Sequence, residues 1–223
     1  EGEIVGLGDL TLSAATRGGC PWQRDVFVTP VVMNGEASQD TCDAFRDDLY
    51  DRVIPALEPD VVVLINNAYD TLDQYILYLG PDREVLPINS PELTGWVEQA
   101  TDDAVAELRA DGRSLVLIEP IPYDPTLDPL ACLSEAAVVE ECRRAMNAGA
   151  SFLERAYRRL DRADDALWAL DLDELVCPFL PICDPIVGGE VVWADANHLT
   201  RVFAASLAPA VADYLVANRI IEP

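Results

Sequence analysis

Apolar residues along the chain alternate between short continuous runs and longer stretches with helical spacing. Residues 60–65 (DVVVLI), 114–120 (SLVLIEP) and 166–172 (ALWALDL) are runs of the kind buried on both faces of a parallel sheet. Residues 10–16 (LTLSAAT) read as a further strand entering the loop GGCPW. Between these runs lie helices. Residues 41–57 place Phe45, Leu49, Val53 and Leu57 four apart on one face, with charges opposite. A second helix opens at Ser90-Pro91, where serine caps and proline suits the first turn, and closes at Asp111-Gly112. The pattern predicts a third helix over 134–161 and a last one after Thr200.

The βαβα order predicts a three-layer α/β/α sandwich around a mainly parallel sheet, with its site at the carboxyl ends of the strands. The 223 residues contain no linker long enough to divide two domains, so one domain spanning 1–223 is expected. The Pro-rich segment 121–133 reads as a long ordered loop pinned by Cys132. Charge narrows the function. Fifteen basic against 40 acidic residues give a formal net charge of -25, which excludes nucleic acid as a partner.

Six cysteines fall into near neighbours: Cys20 and Cys42, Cys132 and Cys142, Cys177 and Cys183. With one histidine and no CxxC, a zinc site is not expected, and nothing in the chain calls for a metal or cofactor. The even count favours disulfides and an oxidising compartment. Six cysteines allow fifteen pairings, of which the adjacent scheme is adopted. The acidic runs Asp47-Asp48 and Asp102-Asp103 lack calcium-loop spacing and read as solvated helix faces.

The single histidine, His198, follows Asp195 by three positions, just ahead of a helix that Thr200 caps. An aspartate that holds a histidine in one tautomer makes it a general base for a hydroxyl nucleophile, although the spacing alone fits a surface histidine equally well. Trp193, beside this loop, is a candidate for lining an acyl or sugar pocket, or for plain packing.

Several segments jointly resemble the SGNH hydrolases. DANHLTRVFAASLAP resembles their terminal Asp-x-x-His block, and PDVVVLINNAYD, from Pro59, their third-block strand. GGCPW, SLVLIEPIP, the pair Cys132 and Cys142, and LVCPFLPIC resemble more narrowly the SGNH domains fused to acyltransferase-3 membrane proteins of bacteria. The resemblance implies a flavodoxin-like sandwich that transfers or hydrolyses O-acyl groups, acetyl first among them, on cell-surface carbohydrate through a serine ester. Asp195 and His198 would be the acid and base of the triad. It further implies an extracytoplasmic domain, periplasmic or at the cell surface, tethered to the membrane through a fused acyltransferase-3 domain that supplies the acyl group.

Two departures qualify this. The family's Gly-Asp-Ser is matched only by Gly8-Asp9-Leu10, and leucine cannot attack an ester. LTLSAATRGGCPW resembles the family's second strand, so the first strand and the nucleophile are expected upstream of Glu1, leaving the sheet without a central strand. Ser13 is the one serine near a plausible strand end, and is expected inside that second strand. In the third block, Asn67 falls on the glycine position and Tyr69 on the asparagine position, with Asp70 retained. Asn66 or Asn67 is the candidate oxyanion donor, the alternative being polar residues that merely end a strand. A non-catalytic module that binds carbohydrate or positions a partner is the alternative function, and a freestanding secreted esterase lacks its serine.

Overall fold

The computed structural model describes residues 10–30, 35–66, 76–80, 84–88, 90–124, 126–196 and 198–222. In chain order, β1 (Phe27–Pro30) precedes α1 (Gly35–Asp48), which runs through a π-helical turn (Leu49–Val53) into α2 (Ile54–Leu57). Then come β2 (Val61–Ile65), β3 (Ile76–Leu79), β4 (Val85–Leu86), α3 (Pro91–Arg109), β5 (Ser114–Ile118) and α4 (Pro129–Glu135). A 3-10 turn (Val139–Cys142) leads to β6 (Arg144–Ala145), α5 (Phe152–Asp161), β7 (Leu167–Leu170) and α6 (Asp173–Val176). The chain ends with β8 (Ile182–Cys183), β9 (Ile186–Val187), β10 (Glu190–Val191), α7 (Arg201–Ser206) and α8 (Ala208–Ala217). Two compact units result: residues 15–120 with 150–170, and the described parts of 1–14, 121–149 and 171–223.

The first unit is built on the parallel sheet β2-β5-β7, an α/β arrangement of the kind the apolar runs predict. Val61 pairs with Ser114 through to Ile65 with Ile118, and Leu115 pairs with Leu167 through to Ile118 with Leu170. Leu115 and Leu117 of β5 are buried against Leu93, Val97, Val105 and Leu108 of α3 and Phe152, Leu153 and Tyr157 of α5. Each such side chain contributes about 1.5–3 kcal/mol of apolar burial. Ser90 caps α3 through the Leu93 N–H (3.1 Å). A second, antiparallel sheet has the order β1-β3-β4.

Several sequence expectations change. Residues 10–16 form no strand, and Leu12 is exposed. A strand needs a ladder partner for its backbone groups, and among the described residues none pairs with this segment. Correspondingly, β2 is the edge of its sheet among the described residues, and Val63 and Ile65 are 47% and 67% exposed. The helix over 41–57 exists, but its buried face is Cys42, Arg46, Tyr50 and Ile54 rather than the Phe45 to Leu57 stripe. Arg46 takes a core position because its guanidinium collects the carbonyls of Pro21, Gln23 (2.9 Å) and Val26 (2.6 Å) while pairing with Asp43.

The predicted helix over 134–161 is three pieces. Ala136 is extended after α4, and the Asn147 side chain accepts from the Gly149 N–H (3.0 Å) in a local turn. Ser151 and Glu154 then form a reciprocal capping box that starts α5 afresh. The Pro-rich segment is a loop only at first, because Cys132 already lies within α4.

In the second unit, β6 and β8 pair antiparallel, as do β9 and β10 across Gly188-Gly189. Both glycines have positive φ (60° and 90°), which the tight two-residue turn requires. Disulfides join Cys132 to Cys142 and Cys177 to Cys183 in this unit, and Cys20 to Cys42 in the first.

Candidate active site

The loop after β10 is closed by its own backbone. Trp193 bridges Leu199, the Ala194 N–H donates to the His198 carbonyl (2.8 Å), and the Thr200 N–H donates to Val192 (2.8 Å). The Thr200 hydroxyl also accepts from the Phe203 N–H (3.2 Å), so one residue closes the loop and caps α7. Within this loop Asp195 and His198 meet. Both carboxylate oxygens lie 2.9 Å from His198 Nδ1, and Oδ1 also accepts the His198 backbone N–H at 2.9 Å.

A carboxylate can only accept, so Nδ1 carries the proton, and the neutral ring presents Nε2 as its basic atom. The imidazole is 71% and the carboxylate 57% exposed, so Nε2 is open to an incoming hydroxyl. Trp193 does not line a surface: it is buried, packing beneath the loop.

In the first unit, Asn66 directly follows β2. Its side-chain oxygen accepts from Trp22 Nε1 (2.9 Å) and from the Tyr157 hydroxyl (2.5 Å). Trp22 Nε1 also approaches the Tyr157 oxygen (3.3 Å), and the two rings are tilted with centroids 6.4 Å apart. Burial pushes the Tyr157 phenol above the usual tyrosine range, which keeps it a donor. Behind the group, the Tyr50 hydroxyl donates to the Trp22 carbonyl (3.0 Å), and Gln23 donates to Thr101 (3.1 Å).

Of the sequence candidates, the structure brings Asp195 and His198 together, and sets Asn66 with Trp22 and Tyr157 in the other unit. Asn67, Tyr69 and Asp70 lie outside the described residues, as do Gly8 and Asp9. Ser13 is exposed in the irregular segment, not inside a strand. The acidic runs are engaged with neighbours: Asp47 with Arg24, Asp48 with Arg52, Asp102 with Arg159, Asp103 with Gln99. Among the described residues no cluster of three metal-binding side chains occurs. Tyr157 and Arg46 were not singled out from sequence. Each sits at a helix position where the pattern shows only periodicity, and its role comes from partners twenty or more residues away.

A helix-flanked parallel sheet defines an α/β protein, and in its other unit a loop orients a histidine through an aspartate. The chain belongs to the family described as SGNH domain (fused to AT3 domains), which matches residues 8–213. That membership gives it an acyl-related role. Among solved structures, the periplasmic domain of the lipopolysaccharide acetyltransferase of Salmonella ser. Paratyphi A is similar, at 11% identity over 87% of this chain and 68% of that one, with a TM-score of 0.46. No curated protein matches the chain. The three disulfides fit an extracytoplasmic domain, and no described helix is long and apolar enough to cross a membrane.

Proposed function

We propose that this domain transfers or hydrolyses O-acyl groups, acetyl in the first instance, on cell-surface carbohydrate by a Ser-His-Asp mechanism. The observation that carries the reading is the Asp195–His198 contact: two oxygens at 2.9 Å from Nδ1 fix the tautomer that makes Nε2 a base. His198 Nε2 takes the serine hydroxyl proton as the serine oxygen attacks the acyl carbonyl carbon. The tetrahedral intermediate collapses, the acyl–oxygen bond to the leaving group breaks, and the imidazolium returns its proton to the departing alkoxide. A sugar hydroxyl or water then attacks the acyl-serine by the reverse sequence, giving transfer or hydrolysis. Asp195 keeps the ring oriented and stabilises its charge. Family membership supports a fused acyltransferase-3 membrane domain as source of the acyl group, and the disulfides support its working outside the cytoplasm.

The test is labelling with a fluorophosphonate, which forms a stable adduct on a serine activated by a His-Asp pair. In the protein expressed from its complete gene, one serine is expected to be labelled and mass spectrometry names it. His198→Ala should reduce the labelling rate by about 10³-fold or more. Labelling that ignores His198, or no labelled serine anywhere, refutes the mechanism. The second result favours a non-catalytic module that binds carbohydrate or positions a partner.

A further inference from the structure

The His198 imidazole and the Asp195 carboxylate are both mostly exposed, so side-chain packing does little to hold them. Their separation of 2.9 Å depends instead on the backbone that carries them. That backbone is a narrow ladder, with Trp193 bridging Leu199, the Ala194 N–H on the His198 carbonyl and the Thr200 N–H on the Val192 carbonyl. A ladder of two short strands is marginal by itself in water, so it needs fastening at its open end.

Thr200 stands at that end, and its side chain makes two further contacts. The hydroxyl donates to the Val191 carbonyl and accepts from the Phe203 N–H (3.2 Å). One proton and two lone pairs let a single hydroxyl do both at once. Val191 is fixed in turn by pairing with Ile186 in the β9-β10 hairpin, and the Val192 N–H donates to the Pro185 carbonyl (2.9 Å). Thr200 thus joins the hairpin, the returning arm of the His198 loop and the first turn of α7. All of these residues belong to one compact unit.

We propose that Thr200 is a positioning residue for His198: its hydroxyl clasps the open end of the loop, keeps the Asp195 contact to Nδ1 closed and thereby holds Nε2 in place as the base. The effect on turnover rests on the acyl-transfer reading above, whereas the clasp rests on hydrogen bonds within this loop alone. A base displaced by about 1 Å costs up to about 10²-fold in rate, so a side chain that touches no substrate can still govern kcat.

The test uses the protein from its complete gene, p-nitrophenyl acetate as substrate, and nitrogen-15 NMR of labelled histidine as a readout independent of turnover. The His198 ring signals are assigned by their loss in His198→Ala and read at a pH where the ring is neutral, and near-UV circular dichroism checks that each variant is folded. The native protein should show the tautomer protonated at Nδ1. In Thr200→Val, which keeps the shape and loses the hydroxyl, the signals should move toward a tautomer mixture and kcat should fall about 10-fold with KM within twofold. Thr200→Ser restores the hydroxyl and should stay within twofold of native kcat. Ser90→Ala removes the equivalent cap from α3 in the other unit and should leave kcat unchanged. Thr200→Ala serves as the second variant if Thr200→Val does not fold. Native ring signals in the folded variant overturn the clasp. Shifted signals with unchanged kcat, while His198→Ala abolishes turnover, overturn its part in catalysis, as does an equal loss of kcat in Thr200→Ser or Ser90→Ala. A native protein without turnover, or turnover that survives His198→Ala, instead sinks the acyl-transfer reading, and the ring signals still decide whether the clasp exists.

Discussion

Replacing the Cys20–Cys42 disulfide by two alanines is expected to cost more stability than the same change at either other bridge. The bridges span 22, 10 and 6 residues for Cys20–Cys42, Cys132–Cys142 and Cys177–Cys183. A crosslink removes loop entropy from the unfolded chain in proportion to the logarithm of its span, giving about 3.4, about 2.7 and about 2.2 kcal/mol at 25 °C. Alanine at every site keeps the loss of sulfur packing similar, so the ranking reports the loops. The longest loop also contains Trp22 and the carbonyls that Arg46 gathers, so its release loosens further native contacts and adds to the cost. Urea unfolding followed by tryptophan fluorescence reads the difference. With m near 2 kcal/mol/M, about 1.2 kcal/mol separates the first and third midpoints by roughly 0.6 M. Equal midpoints, or a larger loss at Cys177–Cys183, refute the loop argument. Six thiols alkylated without prior reduction would remove its premise.

Two ion pairs give further expectations. Arg158 Nε lies 2.8 and 3.1 Å from the two oxygens of Glu119, whose side chain is 2% exposed; Arg158→Met should cost about 3 kcal/mol, and a double-mutant cycle with Glu119→Gln should show coupling of at least about 1 kcal/mol, with zero coupling contradicting the pair's role. The Arg109 guanidinium, with the Ala166 N–H, holds the Asp164 carboxyl below the usual carboxylate range. The unfolded chain therefore binds the proton first as pH falls: the contribution is complete above about pH 5 and is lost through and below about pH 3.9. Partial exposure limits it to about 0.5–1 kcal/mol, so the stability gap between native protein and Asp164→Asn should shrink from pH 7 to pH 3; a gap that widens on acidification overturns the assignment.

What the sequence could show follows from how local each signal is. The strands β2, β5 and β7 were legible because each is a continuous apolar run bounded by polar residues, and α3 because Ser90-Pro91 and Gly112 mark its ends within the chain itself. Residues 10–16 carry a strand's composition, but a strand is completed by its neighbour, which composition does not reveal. The break between α4 and α5 was written in the sequence as Ser151-x-x-Glu154, and the helical spacing across it outweighed that signal wrongly. Asp195 and His198 were legible as residues three apart, whereas their 2.9 Å geometry depends on how the loop closes. The Asn66 group was not legible, since Trp22, Asn66 and Tyr157 are separated by 44 and 91 positions and only folding brings them to one oxygen.

The closure of the Asp195–His198 loop has a kinetic meaning. Among the described residues, the hydrogen bonds that shape it, from Pro185 to Val192, across Trp193 and Leu199, and from Thr200 into the first turn of α7, join residues close in sequence. Contacts of such short range close in about 10–100 ns and wait for no distant partner. The geometry of His198 and Asp195 thus depends on local contacts rather than on distant partners. Asn66 is the opposite case: its orientation exists only once three segments remote in sequence have met.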